Sequence, residues 1–241
     1  MNRRGIEETT GTAGDAPTVV LIHGWAGSFD GTYGSNGWRE ALAARGRAVS
    51  ELDLPGHGDP AASDQPEEYG DLATKVQVLL PDGQVDVVAF SLGAKLTLEM
   101  AVRDPGKFRR IVIAGLGDGV FQHETGQRLA DVVQRGMTAD ERAAMPDIAG
   151  YLARTPSNRP DAMAALLRRP PNPVLPPERL ARITAKVLIL NGDADTIAIP
   201  DDGLRAALQN HEYVSLPGVD HFTMPERPEF LAAAIEFLTR D

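Results

Sequence analysis

Residues 85–96 read Val85-Asp86-Val87-Val88-Ala89-Phe90-Ser91-Leu92-Gly93-Ala94-Lys95-Leu96. The first six residues, rich in β-branched and aromatic side chains, predict a buried strand, and the residues after Ser91 predict a helix. The serine therefore sits on a direct strand-to-helix turn at the edge of a sheet. Such a turn is tight, so the positions two before and two after the serine must be small. Ala89 and Gly93 meet that need, with alanine standing where the strict G-x-S-x-G pattern has glycine. A serine here could also be a plain helix N-cap. The alternative is an exposed nucleophile with the Leu92 amide, at the helix N-terminus, available to an oxyanion.

The surrounding chain repeats the strand–helix alternation. Thr18–Ile22, Ala48–Leu54, Arg110–Ala114, Lys186–Leu190 and Glu212–Leu216 are further short apolar runs. Amphipathic stretches from Trp38, over Glu67–Leu80 and over Leu92–Arg103 separate them, and PEFLAAAIEFLTR closes the chain with apolar residues at helical spacing. This predicts an α/β fold, a mostly parallel central sheet with helices on both faces, whose ligands gather at the carboxyl ends of the strands. Between Gly115 and about Ile183 no strand-like run occurs. The pieces ETGQRLADVVQRG, PDIAGYLART and PDAMAALLRR read instead as short helices, ending in the stiff Pro170–Pro177 connector. The expected organisation is an N-terminal arm at 1–16, a core at 17–117 and 184–241, and a helical cap at 118–183.

Composition narrows the function classes. The net charge of −10 over 241 residues disfavours a nucleic-acid partner or an anionic membrane surface. Without cysteine there is no disulfide, thiolate metal site or cysteine nucleophile. Neither a signal peptide nor a spanning apolar segment is read, so the expected localisation is cytoplasmic, as a monomer or homodimer.

A serine hydroxyl needs a base, usually a histidine held by a carboxylate. Of five histidines, His221 lies after a strand and just before the terminal helix, at the active edge of the sheet. His57, between glycines, reads as structural; His123 lies in the cap region, and His211 opens a strand. The carboxylate should follow a strand between serine and histidine in chain order. Asp195 in NGDADT fits best, with Asp193 a turn cap and Asp118 in AGLGDGV the rival.

The segments LIHGWAGS, ELDLPGHGDP, VVAFSLGAKL, VLILNGDADTIAIP and GVDHFTMPERPEFLAAAIEFL, in this order, resemble the α/β-hydrolase superfamily from about Pro17 onward. The resemblance implies an eight-stranded sheet or a trimmed version of it, with Ser91, Asp195 and His221 as catalytic triad. It also implies that the Trp25 amide pairs with that of Leu92 in the oxyanion hole. By similarity to small bacterial carboxylesterases, the Trp25 ring walls the acyl pocket, and His23 braces its loop. The loop GWAGSFDGTYGSNGW is longer than in compact relatives, so Phe29 and Tyr33 are expected over the site. From the cap, Val120, Leu129, Val133, Met137 and Tyr151 are candidate pocket residues, as are Met145, Leu152, Met163 and Leu166. These expectations describe a serine hydrolase of a small or medium apolar acyl ester that uses no cofactor or metal. A lactone, thioester or C–C bond substrate, or a receptor with little turnover, is the alternative reading.

Overall fold

The computed structural model describes residues 16–123 and 126–240. The expected N-terminal arm, apart from Ala16, lies outside the described residues, as do Glu124 and Thr125 at the head of the first predicted insert helix. Six parallel strands form one sheet: β1 (Val19–Ile22), β2 (Val49–Leu52), β3 (Val85–Phe90), β4 (Phe108–Ala114), β5 (Lys186–Gly192) and β6 (His211–Leu216). Their spatial order is β2-β1-β3-β4-β5-β6. The chain winds outward from β1 to β2, then returns to place β3 on the other side of β1. The switch point between β1 and β3 is where such a sheet opens a crevice at its carboxyl edge.

Alternation along the strands builds two cores. Val20, Ile22, Val87, Ala89, Ile111, Ile113, Val187 and Ile189 face one layer. Val19, Leu21, Val88, Phe90, Val112, Ala114, Leu188 and Leu190 face the other. Both faces of the central strands are thus apolar and covered, the condition a parallel sheet requires. The helices are α1 (Phe29–Thr32), α2 (Trp38–Ala43), α3 (Leu72–Gln77), α4 (Leu92–Arg103), α5 (Gln127–Arg135), α6 (Ala139–Ala144), α7 (Pro146–Ala153), α8 (Pro160–Arg168), α9 (Pro177–Leu180), α10 (Asp202–Ala207) and α11 (Pro228–Thr239). None of the described helices is long and apolar enough to cross a membrane.

Element boundaries differ from the sequence reading where polar groups intervene. β2 stops at Leu52 rather than Leu54 because the Leu54 amide donates to the buried His23 Nε2 (3.0 Å) and Asp53 Oδ1 accepts from the Phe29 amide (2.6 Å). The helix expected over Glu67–Leu80 is split. A 3₁₀ turn at Pro66–Tyr69 precedes α3, and Asp71, at φ +45°, caps α3 through its carboxylate. Between β4 and β5 the described residues are all helical or irregular. There α8 buries Ala162–Leu166 against α5, which contributes Ala130, Val132 and Val133.

At the amino edge of the sheet, Asp86 is fully buried. It accepts from Arg47 Nη2, from Arg109 Nε (2.9 Å) and from the Arg110 amide (3.0 Å). Arg47 also donates to Leu238 O (3.0 Å), which ties the end of α11 to the sheet. A buried carboxylate is tolerable only with such partners.

Candidate active site

Ser91 follows β3 directly, with φ +51° and ψ −114°, a backbone state rare for any residue with a Cβ. Its carbonyl accepts from the Lys95 amide (3.1 Å), starting α4. Its hydroxyl makes no capping bond to the helix, which removes the N-cap alternative. Instead Ser91 Oγ lies 3.0 Å from His221 Nε2. His221 Nδ1 lies 2.8 Å from Asp195 Oδ2, and Asp195 Oδ1 accepts from the amides of Ile197 and Ala198, each at 2.9 Å. A carboxylate only accepts, so the His221 proton belongs on Nδ1, leaving Nε2 to accept from the serine. Asp195 is 1% exposed and His221 7%, so this row of bonds is shielded from water up to the serine.

Packing holds the row in place. The His221 ring lies 4.9 Å from that of Phe90 and 5.6 Å from that of Phe222. Gly115, at φ +65°, leaves room for it; a Cβ there would come within 2.7 Å of Phe90 and 3.0 Å of His221 Cε1. At the elbow, a Cβ on Gly93 would meet His23 O at 2.5 Å and Ile22 O at 2.6 Å, so the small-residue requirement is a close approach of α4 to the loop after β1. Asp118 serves elsewhere. Its carboxylate accepts from the amides of Gly203 (3.2 Å) and Leu204 (2.8 Å) at the start of α10. Asp193 accepts from the Gly218 amide (2.6 Å).

The loop after β1 lies against the nucleophile turn, since a Cβ on Gly24 would stand 3.1 Å from Ser91 Cβ. Among the described residues, no group accepts from the amides of Trp25 or Leu92. Two buried histidines support this loop. His57 Nε2 accepts from the Ala26 amide (2.9 Å), and His23 Nδ1 lies 2.7 Å from Gly24 O, with the two rings edge-on at 4.8 Å. Burial, with the neighbouring His23, pushes the His57 pKa down to about 3, so its acceptor nitrogen persists at neutral pH. The insert grips the same loop through Thr155 and Asn158, which the sequence reading did not single out. They are polar residues in an irregular stretch, far along the chain from Ala26, and carry no motif.

The predicted pocket residues divide. Phe29 is a correction: it is 4% exposed and packs with Tyr33 on the α2 and α11 side of the sheet, under the Arg39 guanidinium 4.5 Å from its ring. Tyr33 is fully buried there as well, its hydroxyl reaching Ile22 O at 3.0 Å. Both rings join the row that leads to Trp38 and Phe230, which buries more aromatic surface than folding over an open site would. Val120 is also corrected, since with no exposed surface it is core, and Leu129 packs beside that core. Val133 and Met137, with Leu152 and Met163, line an open pocket of about 450 Å³ on the insert. The half-buried Trp25 donates from Nε1 to Met163 O (3.2 Å). The Tyr151 ring lies 5.6 Å from that of Phe222 and tilted to it, and burial holds its phenol pKa well above the ordinary value.

Residues 19–234 match the model of the alpha/beta hydrolase family. The chain belongs to the alpha/beta hydrolase family. It is 26% identical to a pimeloyl-[acyl-carrier protein] methyl ester esterase of Nitrosospira multiformis, over 93% of this chain and 95% of that one. It is 30% identical to the protein of the same name from Methylococcus capsulatus, over 92% and 98%. Among solved structures it is similar in fold to an enol-lactonase from Burkholderia xenovorans, with a TM-score of 0.67 at 22% identity over 94% and 93% of the two chains. Among the described residues the sheet has six strands, within the range the resemblance allowed.

Proposed function

We propose that this family member is a serine carboxylesterase acting on esters of small or medium apolar acyl groups. The observation that carries the reading is the unbroken row from Ser91 Oγ through His221 to Asp195, set on a turn whose backbone is strained at the serine. Ser91 Oγ attacks the acyl carbonyl while His221 Nε2 takes its proton. Asp195 keeps the imidazole proton on Nδ1 and stabilises the imidazolium. The Trp25 and Leu92 amides receive the oxyanion, each worth about 3–4 kcal/mol by analogy with other oxyanion donors. His221 then protonates the leaving alcohol, and water activated by the same nitrogen releases the acid. The chemistry uses the chain's own side chains and backbone amides, with water as the second nucleophile.

The insert, residues 118–183, acts as a cap, and its apolar pocket supports the choice of an apolar acyl group. The names of the two relatives matched over nearly their whole lengths add a specific candidate, the methyl ester of an acyl chain carried on acyl-carrier protein. The test is hydrolysis of p-nitrophenyl butyrate by wild type and by Ser91→Ala, followed through burst and steady state. Multiple turnovers in wild type alone are expected. A single burst from folded wild type would instead favour a specialised substrate, and methyl esters free and carrier-bound are then compared.

A further inference from the structure

We propose that Thr155 and Asn158, in the α7–α8 connector, are positioning residues that hold the oxyanion amide of Trp25 in place, so that a docked insert completes the site. This rests on the esterase reading above. Ala26, the residue after Trp25, has φ +57° although it carries a Cβ. Residues other than glycine hold that state only where their surroundings impose it. Here both ends of the residue are clamped. Its amide donates to His57 Nε2 (2.9 Å), a partner from the core. Its carbonyl accepts from Thr155 Oγ1 (2.6 Å) and Asn158 Nδ2 (2.9 Å), partners from the insert.

Asn158 is itself braced. Its Nδ2 also reaches Gly27 O (3.1 Å), and its Oδ1 accepts from the Gly58 amide (2.8 Å), so one side chain joins the insert to two core loops. Thr155 is buried, and the Thr155 carbonyl accepts from the Asn158 amide (3.1 Å), making the pair one unit. Without these donors the Ala26 carbonyl loses both partners, and the residue can leave the left-handed region. That rotation turns the two peptides that flank Ala26, and with the chain held on either side the torsions of Trp25 must absorb the change, which reorients the Gly24–Trp25 peptide that carries the proposed oxyanion N–H. Both residues also line the insert pocket.

A residue that only glued the insert to the core would affect stability and substrate binding. A positioning residue affects the transition state. The experiment measures kcat and KM for p-nitrophenyl butyrate, and Ki for a trifluoromethyl ketone and for butyrate, in wild type, Thr155→Val, Thr155→Ser and Asn158→Asp. In Thr155→Val and Asn158→Asp, kcat should fall about 10–100-fold at little-changed KM, part of the loss seen when an oxyanion donor is removed outright. Trifluoromethyl ketone binding, which needs the oxyanion hole, should weaken by the same factor, butyrate binding should not, and Thr155→Ser should recover most of the rate. Wild-type kcat and Ki in either folded variant, or a loss confined to KM, would overturn the proposal. Asn158→Asp decides alone if Thr155→Val does not fold. Turnover by Ser91→Ala, or none by wild type on p-nitrophenyl butyrate and on methyl esters free and carrier-bound, would sink the esterase reading instead.

Discussion

Ser91 carries both the structural signature and the proposed chemistry, and its neighbours separate the two roles. Ser91→Ala and His221→Ala should each abolish turnover of an activated ester without altering the circular dichroism spectrum. Asp195→Asn should cost about 10⁴-fold in kcat, because the amide favours the wrong imidazole tautomer. Asp118→Ala should leave turnover near wild type and cost about 1 kcal/mol of stability, the worth of a helix cap. The opposite order of these two rates would move the acid role to Asp118. The sequence favoured Asp195 on chain order and loop position, with Asp118 the rival because both follow strands. What separates them is that Asp118 faces the amides of α10 while Asp195 faces His221.

The elements matter through how closely they approach. The turn from β3 to α4 works only if α4 can lie against the carbonyls that end β1. Gly93→Ala should therefore cost about 1–3 kcal/mol, as overpacking does, and should lower activity more than stability because the same carbonyls lead into the Trp25 loop. Ala89→Gly restores the stricter motif and should stay active, with a loss of about 0.5–1 kcal/mol for glycine inside a strand. Thermal melts paired with kcat measurements check both. Strand positions and the helical insert were legible in the sequence because hydrophobic period reports them directly. The early end of β2 was not, since it depends on a side chain of another element, His23, taking the Leu54 amide.

At the scale of the molecule, stability and chemistry sit at opposite edges of the sheet. Asp86 is the second residue of β3, at the amino edge, and Ser91 follows the carboxyl end of the same strand. Asp86→Ala leaves Arg47 buried and uncompensated, and should cost about 3–5 kcal/mol in denaturant titration while the folded fraction keeps its kcat. Acid should also act on the whole fold through His57. Its pKa is about 3 when folded against 6.5 for the free side chain, so the unfolded chain binds the extra proton between those values. Stability is then retained above pH 6.5 and lost as pH falls toward 3, on the order of 3 kcal/mol by pH 4. Unfolding titrations should show a flatter acid limb in His57→Gln; an unchanged limb would place the sensitivity elsewhere.

The sequence by itself determined the alternation of buried strands and amphipathic helices, hence a parallel sheet with sites at its carboxyl edge. It also marked Ser91 and His221, because the turn and the loop that present them are local, a few residues long, with their own composition. Tertiary structure alone decided that Phe29 and Tyr33 turn to the far face. It alone brought Thr155 and Asn158 onto a loop some 130 positions earlier in the chain. Those outcomes rest on contacts between distant segments, where burial and hydrogen-bond satisfaction choose among partners that no local periodicity distinguishes.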